Sequence, residues 1–402
     1  MFVIIIHMKQ HLRKKNKAYK FRMYPDDEQQ ILFAKTFGCV RFIYNKMLED
    51  KISHYKKTGE SLYCYPSMYK KQYEWLKEID SLALVGAQNN LKAAYDNFFR
   101  DKKIGFPKFK SKHRCHDSYT TNMINGNIKL QDGFLRLPKA GMIKIKQHRE
   151  APKEYKLKSV TVSKTPSGKY YASILYEYEI DIIPVLPINI LGLDFSMPML
   201  YVTSDGESAD YPKYYRSSQA KLAKEQRKLS RRLKGGKNKE KQRIKVAKLH
   251  EHVANQRKDF LHKQSRQIAN AYDAVCIEDL DMKAMAQALR FGKSVADNGF
   301  GMFRTMLEYK LEEQGKRLVK IDKWFPSSKL CSCCGNVKTE QSLSERTYIC
   351  ECGFVSDRDT NAAINIKNEG RRLLVSGEAY EIGKKISPPL TVKEDTLIRY
   401  VV

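Results

Sequence analysis

Four cysteines near the C-terminal end are spaced for metal binding. Cys331 and Cys334 enclose two residues, Cys350 and Cys352 enclose one, and a glycine follows each pair at Gly335 and Gly353. Four thiolates suit tetrahedral zinc, and a glycine in left-handed backbone turns amides toward the sulfurs. With four protein ligands no position stays open for water, so the zinc expected here is structural. Cys333 is a spectator inside the first pair. A redox dithiol would not need a second pair. Cys39, Cys64, Cys115 and Cys276 are scattered and read as small apolar core residues. Nine cysteines so distributed argue against a disulfide scaffold.

A second chemistry is open to three acids that stand where segments end. Asp194 closes the apolar run Ile188-Asn-Ile-Leu-Gly-Leu193, and Glu278 closes Ala274-Val-Cys-Ile277. Asp359 lies in Asp357-Arg-Asp-Thr-Asn-Ala-Ala363, where a helix begins. Strand ends and helix starts converge on one face of an α/β sheet, where such folds place ligands. Three convergent carboxylates could hold two Mg²⁺ ions roughly 4 Å apart, the arrangement that suits phosphodiester hydrolysis. Singly, each acid has a plain structural reading: Asp194 as a turn residue, Glu278 as a helix cap, Asp359 as an N-cap. Asp279, Asp281 and Asp357 compete for the same metal site.

The surroundings of these residues are basic. Lys and Arg number 74 against 45 acidic residues, a formal net charge of +29. A polyanion partner is the simplest reading, because each neutralised phosphate releases condensed counterions. The charge is densest in a helical hairpin over about residues 213–270, broken at Gly235-Gly236. Its expected apolar stripes are Leu222, Leu229 and Leu233, and Ile244, Leu249, Val253, Phe260 and Leu261. Its polar face carries Lys224, Arg227, Lys228, Arg231 and Arg232 with few acids between them. A solvated helix normally mixes signs, so this face is expected to meet phosphates.

The rest of the chain must position these groups. A strand is expected over 17–24, then a helix from Glu28 to about Lys57 after Pro25-Asp26-Asp27, with Phe33, Phe37, Val40, Tyr44 and Met47 on one face. A second helix is expected from about Ala87 to Arg100, with Leu91, Ala94, Tyr95, Phe98 and Phe99 inward. Short strands follow at Phe106–Lys110, Ile128–Leu130, Phe134–Leu137, Ile143–Ile145, Val160–Val162 and Tyr170–Leu175, a spacing that predicts a small antiparallel β-barrel. Pro184 to Pro187 read as a boundary. Met199–Thr203 is expected as a strand turning at Asp205-Gly206. No run approaches the roughly 20 apolar residues that span a bilayer, and Phe2–Ile6 is too short for a signal peptide. The expected compartment is cytoplasmic, and Met8 offers an alternative start.

The combined motifs resemble the TnpB proteins, the OrfB-type "transposases" of insertion sequences, related to compact type V CRISPR nucleases. The resemblance rests on Leu191-Gly-Leu-Asp194-Phe-Ser, Cys276-Ile-Glu278-Asp-Leu280, Phe325-Pro-Ser-Ser-Lys-Leu-Cys331-Ser-Cys-Cys334-Gly335 and Asp357-Arg-Asp359-Thr-Asn-Ala-Ala. Met302–Lys310 and the opening Lys-Phe-Arg-Met-Tyr-Pro25 also fit, so it spans about residues 17–370. It departs at the one-residue spacing of Cys350 and Cys352, and at Ser356, where a histidine is frequent.

The resemblance implies an α+β multidomain protein: an N-terminal β-barrel with helical insertion, then an RNase H-like (RuvC-type) α/β nuclease domain with an inserted zinc ribbon. The division expected is a barrel domain over 1–186 with its insertion at about 26–104 and a nuclease domain over 187–326. A zinc ribbon follows over 327–355, a last acidic motif over 356–370 and a flexible tail over 371–402. Asp194, Glu278 and Asp359 match the family's catalytic, Mg²⁺-binding triad. The expected activity is RNA-guided cleavage of double-stranded DNA, with guide RNA and DNA as partners. Strand-transfer transposition and non-cleaving regulation are the alternatives. A histidine-pair tyrosine transposase does not fit, since the close pair His250-Glu-His252 lies in the basic hairpin.

Overall fold

The computed structural model describes residues 12–113, 115–281, 284, 287, 297–342, 345–377, 380, 381, 384 and 385. The chain divides into two compact units, Met1–Asp181 and Ile182–Val402.

In the first unit, β1 (Leu12–Tyr24) leads into α1 (Asp27–Thr58). Asp26 and Gln29 form a reciprocal capping box that starts the helix, and Gly59 ends it in left-handed backbone. The expected face is buried, with Ile43 and Leu48 added to it. The second helix, α2 (Ser81–Arg100), begins six residues before the expected start, because Asp80 caps it by accepting from Leu82 N at 3.0 Å. Leu91 is buried on its inner face, whereas Phe99 is exposed.

Six further strands complete this unit: β2 (Asp117–Asn122), β3 (Lys129–Gln131), β4 (Phe134–Leu137), β5 (Gly141–Lys146), β6 (Lys156–Lys164) and β7 (Tyr170–Asp181). They form one antiparallel sheet in the order β2-β6-β7-β1-β5-β4-β3. The expected barrel is not closed: among the described residues β2 and β3 are edges that do not pair. Helices take the place of closure on the sheet. Phe33 of α1 meets Tyr119 of β2 and Tyr170 of β7, and a Cβ on Gly86 of α2 would lie 2.7 Å from Thr120 O. The expected strand at Phe106–Lys110 is instead a loop, in which the Asn45 side chain takes both backbone groups of Lys110 at 2.8 Å.

The second unit is built on a four-stranded sheet of β8 (Ile190–Asp194), β9 (Val202–Thr203), β10 (Ala274–Glu278) and β11 (Arg317–Ile321), ordered β11-β10-β8-β9. β8 and β11 flank β10 in parallel, and β9 is antiparallel to β8. β9 is shorter than the expected Met199–Thr203 strand because Leu200 adopts φ 77° and exchanges backbone hydrogen bonds with Ser196. α3 (Tyr214–Ser230) and α4 (Lys237–Ala271) form a helical hairpin, and α5 (Phe300–Glu313) leads into β11. Leu233, expected on an apolar stripe, falls between α3 and α4 and is exposed. A two-stranded ribbon, β12 (Thr347–Ile349) and β13 (Val355–Asp357), precedes α6 (Arg358–Ser376). This helix runs beyond the expected limit at 370, with Leu373 and Leu374 packed on the core. Tyr380–Glu381 and Lys384–Lys385 then pair as β14 and β15. The expected tail beyond 385 and the apolar stretch before Leu12 lie outside the described residues.

Candidate acidic site and metal centre

The apolar run of β8 is buried through Leu193, and that of β10 through Ile277. Both are buried from two sides, as parallel strands require. Cys276 pairs with Gly192 and Ile277 with Leu193, so Asp194 and Glu278 end neighbouring strands one step further on. The third acid is set by how closely α6 approaches the sheet. A Cβ on Gly192 would lie 2.0 Å from Ala363 O, and one on Gly370 would lie 2.1 Å from Cys276 Sγ. Glycine at both places lets the helix rest directly on β8 and β10. Its first turn then carries Asp359 toward the strand ends.

Asp194 feels the charges of the other two carboxylates. Asp194 titrates well above the ordinary carboxylate range, first because of burial and then because Glu278 and Asp359 repel its charge. Burial also raises Glu278, against a hydrogen bond donated by Ser327 Oγ that favours its ionised form. Asp359 accepts from Ser196 Oγ at 3.3 Å and Arg358 Nη2 at 3.2 Å, with Arg346 Nη1 3.6 Å away. The competing acids have other partners. Asp357, not Asp359, is the N-cap of α6, accepting from Thr360 N at 2.9 Å. Asp279 faces Arg304 at 3.6 Å, and Asp281 accepts from Ala284 N at 3.1 Å.

The four expected thiols come together. Their sulfurs all lie within 4.8 Å of one another, with Cys331–Cys352 at 3.8 Å and Cys334–Cys350 at 3.6 Å. A tetrahedron of Zn–S bonds of about 2.3 Å has edges of about 3.8 Å, so the donor set and its spacing fit zinc. Gly335 and Gly353 both adopt positive φ, at 76° and 86°. Burial pushes the Cys331 thiol up, but hydrogen bonds from the amides of Cys334 and Cys333 and the thiols of Cys350 and Cys334 together outweigh it and bring it to about 7. The carboxylates are a more open group than the thiols, the only three or more acid, His or Cys ligands gathered this tightly among the described residues.

Two buried asparagines, absent from the expected site residues, join these centres. Asn365 Nδ2 donates to Ser327 O at 2.8 Å and to Leu330 O at 2.6 Å. Asn361 donates to Leu330 O at 2.8 Å and accepts from Ser332 N at 3.0 Å. A hydrogen-bonded path therefore runs from Glu278 through Ser327 and α6 to the first cysteine knuckle. Both asparagines stand in the motif after Asp359, four residues apart on one helix face, a spacing that could have disclosed them.

Lys224, Arg227, Lys228, Arg231 and Arg232 are all exposed on or just after α3. Lys228 also pairs with the buried Glu225 at 3.1 Å. Hydrogen bonds from Gln242, Lys228 and Lys245 hold the Glu225 carboxyl down at about 2 and tie α3 to α4.

Comparison with known proteins gives three family matches: "Probable transposase" over residues 173–289, "Cas12f1-like, TNB domain" over 300–366 and "Helix-turn-helix domain" over 15–60. The last covers what is here strand β1 and the single helix α1. A protein of Streptomyces pristinaespiralis named "Putative RNA-guided DNA endonuclease" is 37% identical, aligned over 91% of this chain and 92% of its own. A relative from Escherichia coli K12 with the same name and the suffix InsQ is 29% identical, over 93% and 97%. The solved structure "Cryo-EM structure of the Cas12f1-sgRNA-target DNA complex" matches with a TM-score of 0.57 at 13% identity, over 88% of this chain and 99% of that one. That likeness is one of fold.

Proposed function

The chain belongs to the TnpB family, the OrfB-type proteins of insertion sequences, and from that premise we propose that it is an RNA-guided, Mg²⁺-dependent DNA endonuclease. The observation that carries this reading is Asp194, whose carboxyl is raised by burial and by the charges of Glu278 and Asp359 beyond what Arg358 and the Phe195 amide offset. A half-buried group of like charges is costly to the extent that cations do not offset it. Mg²⁺ held by Asp194, Glu278 and Asp359 would supply a charge centre that activates water and stabilises the leaving oxygen.

The chain's own groups prepare that site. Ser327 orients Glu278, while Ser196 and Arg358 orient Asp359. Arg346, more than half exposed at the rim, is placed to meet a phosphate. Within the second unit, 187–326 and 356–370 are read as an RNase H-like, RuvC-type nuclease domain, interrupted by a zinc ribbon over 327–355. The segment 1–186, with its helical insertion at about 26–104, grips guide RNA and target duplex. Base pairing then reads sequence while the protein reads backbone shape and a short flanking motif. The basic face of α3 serves as a phosphate track.

The test is cleavage of a plasmid matched to copurified RNA, in Mg²⁺, by the wild-type and Asp194→Ala proteins. Cleavage by the wild type alone is the expected result. Equal cutting by both would overturn the site, and strand joining in place of cutting would favour transposition.

A further inference from the structure

The loop after β11 makes a short excursion that starts beside the backbone of Glu278 and ends at its carboxylate. Ile321, the last residue of β11, pairs in register with Glu278, and six residues later Ser327 donates to the Glu278 carboxylate. Trp324 stands midway, three residues from either anchor, and so within about 11 Å of both along the chain. The excursion is stiffened by its own hydrogen bonds. Asp322 Oδ1 accepts from Trp324 N at 2.7 Å, Asp322 O accepts from Phe325 N at 3.1 Å, and Ser327 N donates to Phe325 O at 2.8 Å.

The two aromatic residues of this loop are used differently. Phe325 packs on the core cluster of Val319, Ile321 and Ile366. Trp324 is 80% exposed, and Lys323 Nζ lies 4.9 Å from its ring centroid. The turn that fixes the loop uses backbone groups and Asp322, so it does not require an indole at this position. What the indole adds is a flat, exposed face on a loop whose two ends meet Glu278, with an ammonium over one side of the ring.

We propose that Trp324 and Lys323 form a stacking subsite for an unpaired base of the strand that enters the acidic site. The indole takes the base, and the ammonium takes a neighbouring phosphate. Within a duplex both faces of a base are covered by its neighbours, so this subsite favours a strand already opened. The inference deepens the nuclease reading and rests on it for the strand's purpose. The contact itself requires neither Mg²⁺ nor cleavage.

The chain has two tryptophans, which makes the contact directly observable. In a full-length Asp194→Ala, Trp75→Phe protein, Trp324 is the sole indole emitter. Titration with oligodeoxythymidine is expected to quench it, and a blunt hairpin duplex of equal phosphate count is expected to leave it bright. With Trp75 retained, Trp324→Ala should weaken oligodeoxythymidine binding about tenfold, and Trp324→Phe less. Zinc content and circular dichroism check that the variants fold. Quenching by the duplex equal to that by the single strand, or Trp324→Ala affinity within twofold of its parent, overturns the subsite. Quenching by a protein whose Asp194-intact form never cuts would keep the subsite and sink the nuclease reading. Cutting without quenching would do the reverse.

Discussion

At Asp194 burial comes first among the causes that lift its carboxyl, and the charges of Glu278 and Asp359 add to it. Raised acids favour the protonated folded state. In the absence of a divalent cation, stability therefore falls as pH rises from the unfolded carboxylate range, about 4, through the higher folded values. Asp194→Asn removes one ionisation and should flatten this dependence. In EDTA at neutral pH the variant should be more stable than wild type by on the order of 1 kcal/mol. Saturating Mg²⁺ should then stabilise the wild type more, by about 2.7 kcal/mol at a hundredfold excess over its dissociation constant. Thermal midpoints of the two proteins between pH 5 and 8, with EDTA or Mg²⁺, check both signs. A wild-type curve that parallels the variant's in EDTA would remove Asp194 from the cluster.

At the scale of elements, α6 is the part on which both centres depend. Its glycine Gly370 sits on Cys276, its Ala363 carbonyl sits on Gly192, and its asparagines Asn361 and Asn365 hold the first cysteine knuckle. Structural zinc provides folding free energy directly to small ribbons. Cys334→Ser is therefore expected to lose zinc and to lower guided cleavage at least tenfold, since the path from the knuckle to Ser327 and Glu278 loosens with it. Metal analysis and plasmid cleavage read the two effects separately. Unchanged zinc content would remove Cys334 from the ligand set. Full cleavage by a zinc-free protein would break the link between ribbon and acidic site.

For the whole molecule, the net charge of +29 predicts steep salt dependence of nucleic-acid binding. Replacing Lys224, Arg227, Lys228, Arg231 and Arg232 together by Ala should lower the slope of log affinity against log salt by roughly 3 to 4. Lys228 should contribute least, because Glu225 already engages it. Filter binding at several salt concentrations measures the slope, and an unchanged slope would place the phosphate track elsewhere.

Cysteine spacing alone named the four thiols that come together, because a knuckle is closed by residues a few positions apart and its turn chemistry is local. Periodicity likewise disclosed α1, the α3–α4 hairpin and the apolar strands β8 and β10. The placing of Asp194 and Glu278 at strand ends also followed, though not the register that makes them neighbours. Long-range packing decided the rest. Whether the N-terminal strands closed depended on helices covering the sheet, and Phe106–Lys110 is a loop held by Asn45, distant in sequence. Taken without the family resemblance, Asp279, Asp281, Asp357 and Asp359 were equal rivals, and their different partners appeared only with α6 on the sheet. Only then did Asp357 become a cap and Asp359 a neighbour of Asp194, because a charge's meaning depends on what it faces across the fold.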